Sequence, residues 1–236
     1  MTTSLSITLS IRETRLVVER LLQADGLAPG AVPAVRDFVI LAQAAGLPAL
    51  EVLESGLSER DRELHGALRT VPVPAAEGTV LVADCAGQSS YVVAPGLFDL
   101  ALATPAPVTV RARDVEAPDL LAALEPQAGA HGVRLTVTGG GSVTITTERG
   151  SAPRPDDERL RRLLPVTGSA PMARAVIEGM TVPSELWWRL FHSSARALSE
   201  ESVTSLKHAG ATPVSDTGDI EPDLTDDIDF AGPGRT

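Results

Sequence analysis

Two short alternating segments separated by three glycines constrain the fold of this chain more than any other feature. Residues 134–138 and 142–147 alternate between apolar and polar side chains, and residues 139–141 are all glycine. A period of two is typical of a strand with one buried face, and a glycine-rich turn joins two such strands as a hairpin. The pattern predicts an antiparallel pair. Its inward-facing side chains are expected to be Leu135, Val137, Val143 and Ile145.

A run of glycines can also form a phosphate-binding loop. This run lacks the Lys-Ser/Thr ending of a P-loop and the glycine spacing of a dinucleotide-binding turn. It also joins two predicted strands, whereas those loops lead from a strand into a helix. We therefore interpret residues 139–141 as a hairpin turn.

The N-terminal part, residues 10–65, has a helical pattern. Ser10 and Glu13 have the spacing of a capping box, which begins a helix, and Gly26 is suited to end it. Two further helices are expected from Val32 to Ala45 and from Pro48 to Leu53. The buried face of the first helix is expected to contain Leu16, Val17, Leu21 and Leu22.

Residues 78–148 have the composition of a sheet region. Apolar runs of strand length predict strands at residues 79–83, 90–94 and 108–112. Short helices are expected over residues 95–103 and after Pro118, and Pro126 is expected to kink or end the second of them early.

The C-terminal region, residues 157–210, again indicates helices. It begins with a short charged helix at residues 157–164, and Pro183 opens a second helix whose apolar residues recur at intervals of three and four. That apolar stripe contains Leu186, Trp187, Leu190, Phe191 and Leu198.

The predicted fold class is α+β, with N-terminal helices, a central mainly antiparallel sheet with a crossing helix, and C-terminal helices on one side. Residues 1–212 are expected to form a single domain. Residues 213–236 are expected to form a flexible acidic tail, because their composition is polar and charged.

The charge distribution argues against two classes of partner. The net charge is −11, and seven acidic residues between positions 216 and 229 account for much of it. No basic patch of the kind that nucleic acid requires is present, so nucleic-acid binding is not expected. An acidic chain is also poorly suited to anionic membrane surfaces, and no stretch has the roughly 20 apolar residues of a membrane span.

The chemistry-bearing residues form no recognisable catalytic or metal-binding pattern. Cys85 is the single cysteine, so no internal disulfide is possible, and a cytoplasmic location is expected. The neighbouring Asp84 raises a thiol pKa, which favours an inert, buried cysteine over a nucleophile. Ser89 is interpreted as a turn hydroxyl between two strands. The histidines at 65, 131, 192 and 208 lack ligand spacing, and no cofactor or metal is implied.

Two features suggest a contact with a partner. Trp187 and Trp188 are adjacent on a predicted helix and therefore point about 100° apart, so that one can fill the core while the other lies nearer the surface. An exposed Trp is a typical anchor for a partner or ligand, although both rings can also seal packing between layers. The acidic tail has spaced apolar residues, which a segment that folds on binding also has. These apolar residues are Ile220, Leu224, Ile228 and Phe230.

Two stretches resemble a bacterial family catalogued as domain of unknown function 3726. The first runs from residue 115 to 137. The second is Val182–Leu190, which is followed by Ser199, Ser202, residues 209–211 and Asp216. The resemblance covers residues 4–219 diffusely and identifies the chain as a divergent member. Residues 205–208 depart from the alternating Gly and Ala that the family shows there, so a ligand-approaching loop would be altered. The resemblance supplies no catalytic residue.

The pattern of residues 7–51 is also similar to the N-terminal helices of lactate/malate dehydrogenases of the non-Rossmann type. The likeness is an amphipathic helical pattern only. The His-Gly pair that such an enzyme would need after Gly46 is missing, so we carry no activity over from that family.

Two functional hypotheses follow. The first is a non-catalytic accessory or binding protein that works with a partner subunit, through the acidic tail or an exposed Trp, or with a small-molecule ligand. The second is an enzyme of unrecognised type that acts on a small metabolite. Its site would lie between the sheet and the C-terminal helices. The candidate ligand or partner contacts are Trp188, Ser199, Ser202, Ser205 and Asp216.

Overall fold

The computed structural model describes residues 5–58, 69–73, 79–103, 107–139, 142–150 and 155–198. The chain divides into two compact units, residues 1–198 and 199–236, and every described residue belongs to the first. The strands of that unit are β1 (Ser6–Leu9), β2 (Arg69–Val73), β3 (Thr79–Asp84), β4 (Val108–Arg113), β5 (Val133–Gly139), β6 (Ser142–Arg149) and β7 (Met180–Pro183). The helices are α1 (Ile11–Ala24), α2 (Val32–Ala44), α3 (Ala49–Ser58), α4 (Ser90–Ala103), α5 (Leu124–Ala128), α6 (Glu158–Thr167), α7 (Ala170–Glu178) and α8 (Ser184–Ser194).

The described strands form two sheets. The larger has the order β2-β3-β4-β6-β5, in which β3 and β4 are parallel and the other neighbours are antiparallel. The smaller is the antiparallel pair of β1 and β7. Helix α4 connects the two parallel strands and crosses the sheet, because a parallel pair needs such a connection. The predicted α+β class with a mainly antiparallel sheet is confirmed.

The predicted hairpin is β5 and β6. The two strands are antiparallel, with Leu135 opposite Thr147 and Val137 opposite Ile145. The side chains of Leu135, Val143 and Ile145 are buried. The side chain of Val137 is partly buried and packs against the same core.

The capping box at the start of α1 is also confirmed. The Ser10 hydroxyl accepts a hydrogen bond from the Glu13 backbone N–H at 3.2 Å, and the Glu13 carboxylate accepts one from the Ser10 backbone N–H at 2.9 Å. Leu16 was expected in the buried face, and this prediction is wrong, because its side chain is 49% exposed. The buried face is centred on Val18 and Leu21, and a helix rotates about 100° per residue, which turns Leu16 outward.

A strand at residues 90–94 was predicted, and this prediction is wrong. The segment is the first part of α4, which continues through Pro95. The helix is apolar on nearly all sides, with Tyr91, Val93, Leu97 and Phe98 all buried. A helix without a polar face shows no period of 3.6 residues, so a short apolar run in it resembles a buried strand.

The segment after Pro118 begins as a 3-10 helix over Pro118–Ala123 and becomes α5 at Leu124. Pro126 was expected to kink or end this helix early. It lies instead in the first turn of α5, where a helix does not use the backbone N–H that proline lacks. The 3-10 helix changes into the α-helix at Leu124, before Pro126 is reached.

Four elements were not predicted. They are β2, α7 and the two strands of the smaller sheet. Ser6 of β1 pairs with Pro183 of β7, so the pairing joins residues that are far apart in the sequence. No helix within the described residues has both the length and the apolar character that crossing a bilayer requires.

Candidate functional site

The two adjacent tryptophans of α8 lie in different environments. Trp187 is buried in the main core, together with Leu186 and Leu190. Trp188 is 49% exposed and Phe191 is 41% exposed. Phe191 and Leu198 belong to the predicted apolar stripe, but both are exposed, so only part of that stripe is buried.

Three aromatic side chains group on the outer face of α8. The ring centroids of Trp188 and Phe191 are 5.7 Å apart with an edge-to-face arrangement. The His192 ring lies 6.2 Å from Trp188 and 5.8 Å from Phe191. We call Trp188, Phe191 and His192 the α8 aromatic patch. The spacings at three and four residues place them on one face of the helix.

Contacts at the first residue and in the middle of α8 hold this helix in place. The Arg189 guanidinium donates two hydrogen bonds to the Glu54 carboxylate of α3, at 2.7 and 2.8 Å. This hydrogen bonding lowers the pKa of Glu54. The Ser184 hydroxyl and backbone N–H both donate to the Leu5 carbonyl, at 3.0 and 2.9 Å. The patch is therefore presented by a helix fixed to the body.

The other predicted contacts cannot be placed on this surface. Ser199, Ser202, Ser205 and Asp216 lie outside the described residues. Of the five candidate contacts, the structure places Trp188, and it places that side chain on the surface.

The carboxyl ends of the parallel strands β3 and β4 carry several polar residues. Residues 87–90 were interpreted as a turn between two strands, and this is wrong, because they lead from β3 into the helix α4. The Gly87 N–H donates to the Asp114 carbonyl at 2.8 Å, and the Ser90 N–H donates to the Glu116 carbonyl at 2.9 Å. Since these amides bond to the neighbouring loop, they are not available to an anion.

Cys85 lies at the same edge of the sheet and is fully buried. Burial raises the pKa of the Cys85 thiol to about 11, and the carboxylates of Asp84 and Asp114 act in the same direction. A thiol in this environment is a poor nucleophile. The expectation of an inert cysteine agrees with this environment. Within the described part of the chain, no group of three or more His, Cys, Asp or Glu side chains is arranged to hold a metal ion.

A cleft of about 660 Å³ opens on another side of the described unit. Helices α1, α2, α4 and α5 form its floor and one wall, and the turn between α6 and α7 forms the other wall. His131 lies at this cleft, with its ring 5.4 Å from that of Phe98 in an edge-to-face contact. We call it the α7 cleft. It was not expected from the sequence.

Two residues that line the α7 cleft, Arg15 and Asp37, belong to a cluster of four charged side chains. Asp37 accepts hydrogen bonds from Arg36 at 2.9 Å and from Arg15 at 3.4 Å. Arg36 also donates to Glu19 at 2.6 Å. The hydrogen bond to Asp37 raises the pKa of Arg36, and its contact with Glu19 adds to this effect. The two arginines and the two carboxylates therefore neutralise one another.

The residues of the α7 cleft were missed for an identifiable reason. One of its walls contains Met172 and Val176 of α7, a helix that the sequence patterns did not predict. Ser169 followed by Pro171 is an N-cap and first-turn signal that could have identified this helix. His131 was noted only for its lack of metal-ligand spacing, and that test does not detect a residue lining a cleft.

The fold is similar to that of a dehydrogenase from Sinorhizobium meliloti. The TM-score is 0.55 at 13% sequence identity, and the match covers 81% of this chain and 100% of that chain. Malate dehydrogenases from Pyrococcus horikoshii and Entamoeba histolytica match with a TM-score of 0.44 each, at 16% and 12% identity. The match to the Pyrococcus horikoshii enzyme covers 64% of this chain and 49% of that enzyme. The match to the Entamoeba histolytica enzyme covers 86% of this chain and 72% of that enzyme.

No protein-family model and no curated protein matches the chain. The likeness to the Sinorhizobium meliloti structure, at 13% identity, therefore concerns the fold alone.

Proposed function

We propose that this protein is a non-catalytic accessory protein that binds a partner subunit through the α8 aromatic patch. The observation that carries the proposal is the exposure of Trp188, which is in contact with the similarly exposed Phe191. Isolated exposed apolar residues are common, but adjacent large aromatic side chains on one helix face are typical of interaction sites.

The energetics of binding favour this patch over other exposed apolar residues. Trp side chains are enriched among the residues that dominate interface energies, because they bury a large area with few rotatable bonds. Helix α8 is held by the Glu54–Arg189 pair and by its buried Trp187, so little additional ordering is needed on binding.

The proposal includes three points that extend beyond the patch. We place the protein in the cytoplasm, in keeping with its single cysteine. We propose that the chain is a divergent member of the family catalogued as domain of unknown function 3726. We also propose that the acidic segment 216–229 contributes to partner binding by its charge.

The test is co-purification from the native host with three forms of the tagged full chain. The forms are the wild type, Trp188→Ala combined with Phe191→Ala, and Leu16→Ala. Leu16 is a matched control because its side chain is also 49% exposed but lies on α1. A stoichiometric partner should be present with the wild type and with Leu16→Ala, and should be lost with the double variant. Light scattering on each purified form gives the oligomeric state.

Retention of the partner by the double variant would contradict the proposal, as would loss of the partner in all variants alike. Circular dichroism should show that the double variant keeps the fold, because the substituted side chains are largely on the surface. Without this check, loss of binding would not distinguish the patch from general unfolding.

A second candidate function is an enzyme acting on a small metabolite. The fold likeness to the Sinorhizobium meliloti dehydrogenase favours it. In this proposal Ser202 and Asp216 belong to the site. Purified full-length protein should then oxidise a small hydroxyl-bearing metabolite when an electron acceptor is added, and Ser202→Ala or Asp216→Asn should abolish the turnover. Full activity in both variants would remove these residues from the site.

A further inference from the structure

The α7 cleft has no part in the proposed partner binding, since none of the residues that line it belongs to the α8 aromatic patch. Its volume of about 660 Å³ lies in the range of sites for small organic molecules, roughly 300–1,000 Å³. Such sites are mainly apolar and contain a few polar groups that orient the ligand. The walls and the charges of the cleft indicate which ligand it suits.

The two faces of the cleft are apolar but differ in exposure. Phe38, Phe98 and Leu124 on the floor are nearly fully buried in the core. Opposite them, Val166 is 86% exposed and Val176 is 53% exposed. A ligand with an apolar body that fills the cleft would cover both valines, at about 25 cal/mol for each Å² of apolar surface removed from water.

Among the described residues, one carboxylate at the cleft, that of Asp99, has no counter-charge. Arg15 and Asp37, which line the cleft, belong to a cluster of four charged residues in which the charges neutralise one another. Asp99 follows Phe98 on α4 and also lines the cleft. Among the residues that the structure describes, none forms a hydrogen bond or an ion pair with the Asp99 carboxylate. The local charge of the cleft is therefore negative and adjoins an aromatic floor.

We propose that the α7 cleft binds an organic ammonium ion that carries an apolar or aromatic body. The body lies between the floor at Phe98 and the valines of α6 and α7, and the ammonium group pairs with Asp99. Gln127 and His131 of the floor add side-chain groups that can hydrogen-bond polar substituents of the ligand. An anion is disfavoured, because Arg15 is already paired with Asp37 and Asp99 would repel it.

The test uses three probes with the same body and different head groups: 4-phenylbutylammonium, 4-phenylbutanol and 4-phenylbutanoate. Binding to the full chain is measured by titration calorimetry at low ionic strength. We expect the ammonium probe to bind at least about fivefold more tightly than the alcohol, which corresponds to about 1 kcal/mol for one partly exposed ion pair. The carboxylate probe should bind most weakly.

Variants then separate the charge from the apolar walls. Asp99→Asn should reduce the affinity for the ammonium probe to that of the alcohol and leave the affinity for the alcohol unchanged. Asp119→Asn, an acidic residue that does not line the cleft, is the matched control and should change neither. Val176→Ser should weaken the binding of all three probes. Thermal unfolding of each variant shows whether the fold is kept.

Three results would overturn the proposal. These are tighter binding of the carboxylate than of the ammonium probe, an unchanged preference in Asp99→Asn, and no binding of any probe to the wild type. Because these measurements use no partner protein, they fail or succeed independently of the co-purification test of the α8 aromatic patch.

Discussion

Gly56 of α3 faces the hydroxyl end of the Tyr91 side chain. A Cβ atom added at Gly56 would overlap the Tyr91 hydroxyl oxygen, and Tyr91 is nearly fully buried, so it has little space to move. Glycine usually weakens a helix relative to alanine by about 1 kcal/mol. At position 56 the close approach of Tyr91 outweighs the preference of a helix for alanine.

Gly56→Ala should therefore lower the free energy of unfolding by about 1 to 2 kcal/mol, since overpacking exceeds the gain in helix propensity. Urea unfolding measures the change. Gly30→Ala is the control, because no atom lies within 4 Å of the added methyl group, and it should cause no loss. Combining Gly56→Ala with Tyr91→Phe should recover part of the stability. If Gly56→Ala were more stable than the wild type, the predicted overlap with the Tyr91 hydroxyl would be contradicted.

Cys85 should be unreactive in the folded protein. Its thiol is fully buried and has a pKa of about 11, so that only about one thiol in a thousand is ionised at pH 8. Iodoacetamide at pH 8 should label the protein only after unfolding in urea, as mass spectrometry would show. Rapid labelling of the folded protein would mean that the thiol is accessible.

The same pKa predicts how stability depends on pH. The unfolded thiol loses its proton near its ordinary value of 9.0, whereas the folded thiol keeps it to about 11. Cys85 therefore contributes nothing below pH 9, and the protein loses stability as the pH rises from 9 to 11, by up to about 3 kcal/mol. Cys85→Ala should remove this part of the pH dependence.

At the scale of elements, the contact between α3 and α8 connects the core to the α8 aromatic patch. The Glu54–Arg189 pair is bidentate but partly exposed, so its effect on total stability is small. Its main consequence is the position of α8. The helix carries buried residues on one face and the patch on the other, and the pair fixes its rotation relative to α3.

Glu54→Gln should destabilise the protein slightly at pH 7 and should have a smaller effect at pH 3. The pKa of Glu54 is lowered in the folded state, so its contribution is present above the unfolded value of about 4.5 and is lost as the pH falls through the folded value. Urea unfolding at both pH values measures this. Glu51→Gln on the same helix is the control. An equal loss at both pH values would contradict the assignment to the ion pair.

At the scale of the whole molecule, the smaller sheet joins the beginning and the end of the described unit. Strand β1 pairs with β7 over four residues, with Leu9 opposite Met180. Gly179 immediately precedes β7 and has a φ of 76° and a ψ of −173°, a region that only glycine adopts readily. A Cβ atom there would lie 2.5 Å from Thr8 Cγ2 and 2.9 Å from the Leu9 carbonyl oxygen.

Gly179→Ala should cost about 2 to 4 kcal/mol, since it combines an unfavourable backbone conformation with a clash against β1. Gly168→Ala is the matched control. Gly168 also has a positive φ of 74°, but its nearest neighbour would be 3.9 Å away, so only the backbone cost of about 1 to 2 kcal/mol applies. Thermal unfolding of both variants compares them. Equal losses would show that the contact with β1 is unimportant.

Local patterns in the sequence were enough to predict the helix that starts at Ser10, the helix ending before Gly46 and the β5–β6 hairpin. Each depends on contacts between residues a few positions apart, so caps, glycines and periodicity are enough to locate them. The same patterns predicted that the two tryptophans differ in direction. They did not show which one is exposed.

The remaining features were decided by tertiary structure. Residues 90–94 are helical because α4 is surrounded by other elements, which leaves it no polar face. The pairing of β1 with β7 and the α7 cleft bring together residues more than a hundred positions apart, and no local pattern encodes such contacts. The sequence by itself indicated that most of the elements exist, because their local patterns are strong. Packing determined which side chains, such as Trp188 and Asp99, remain exposed.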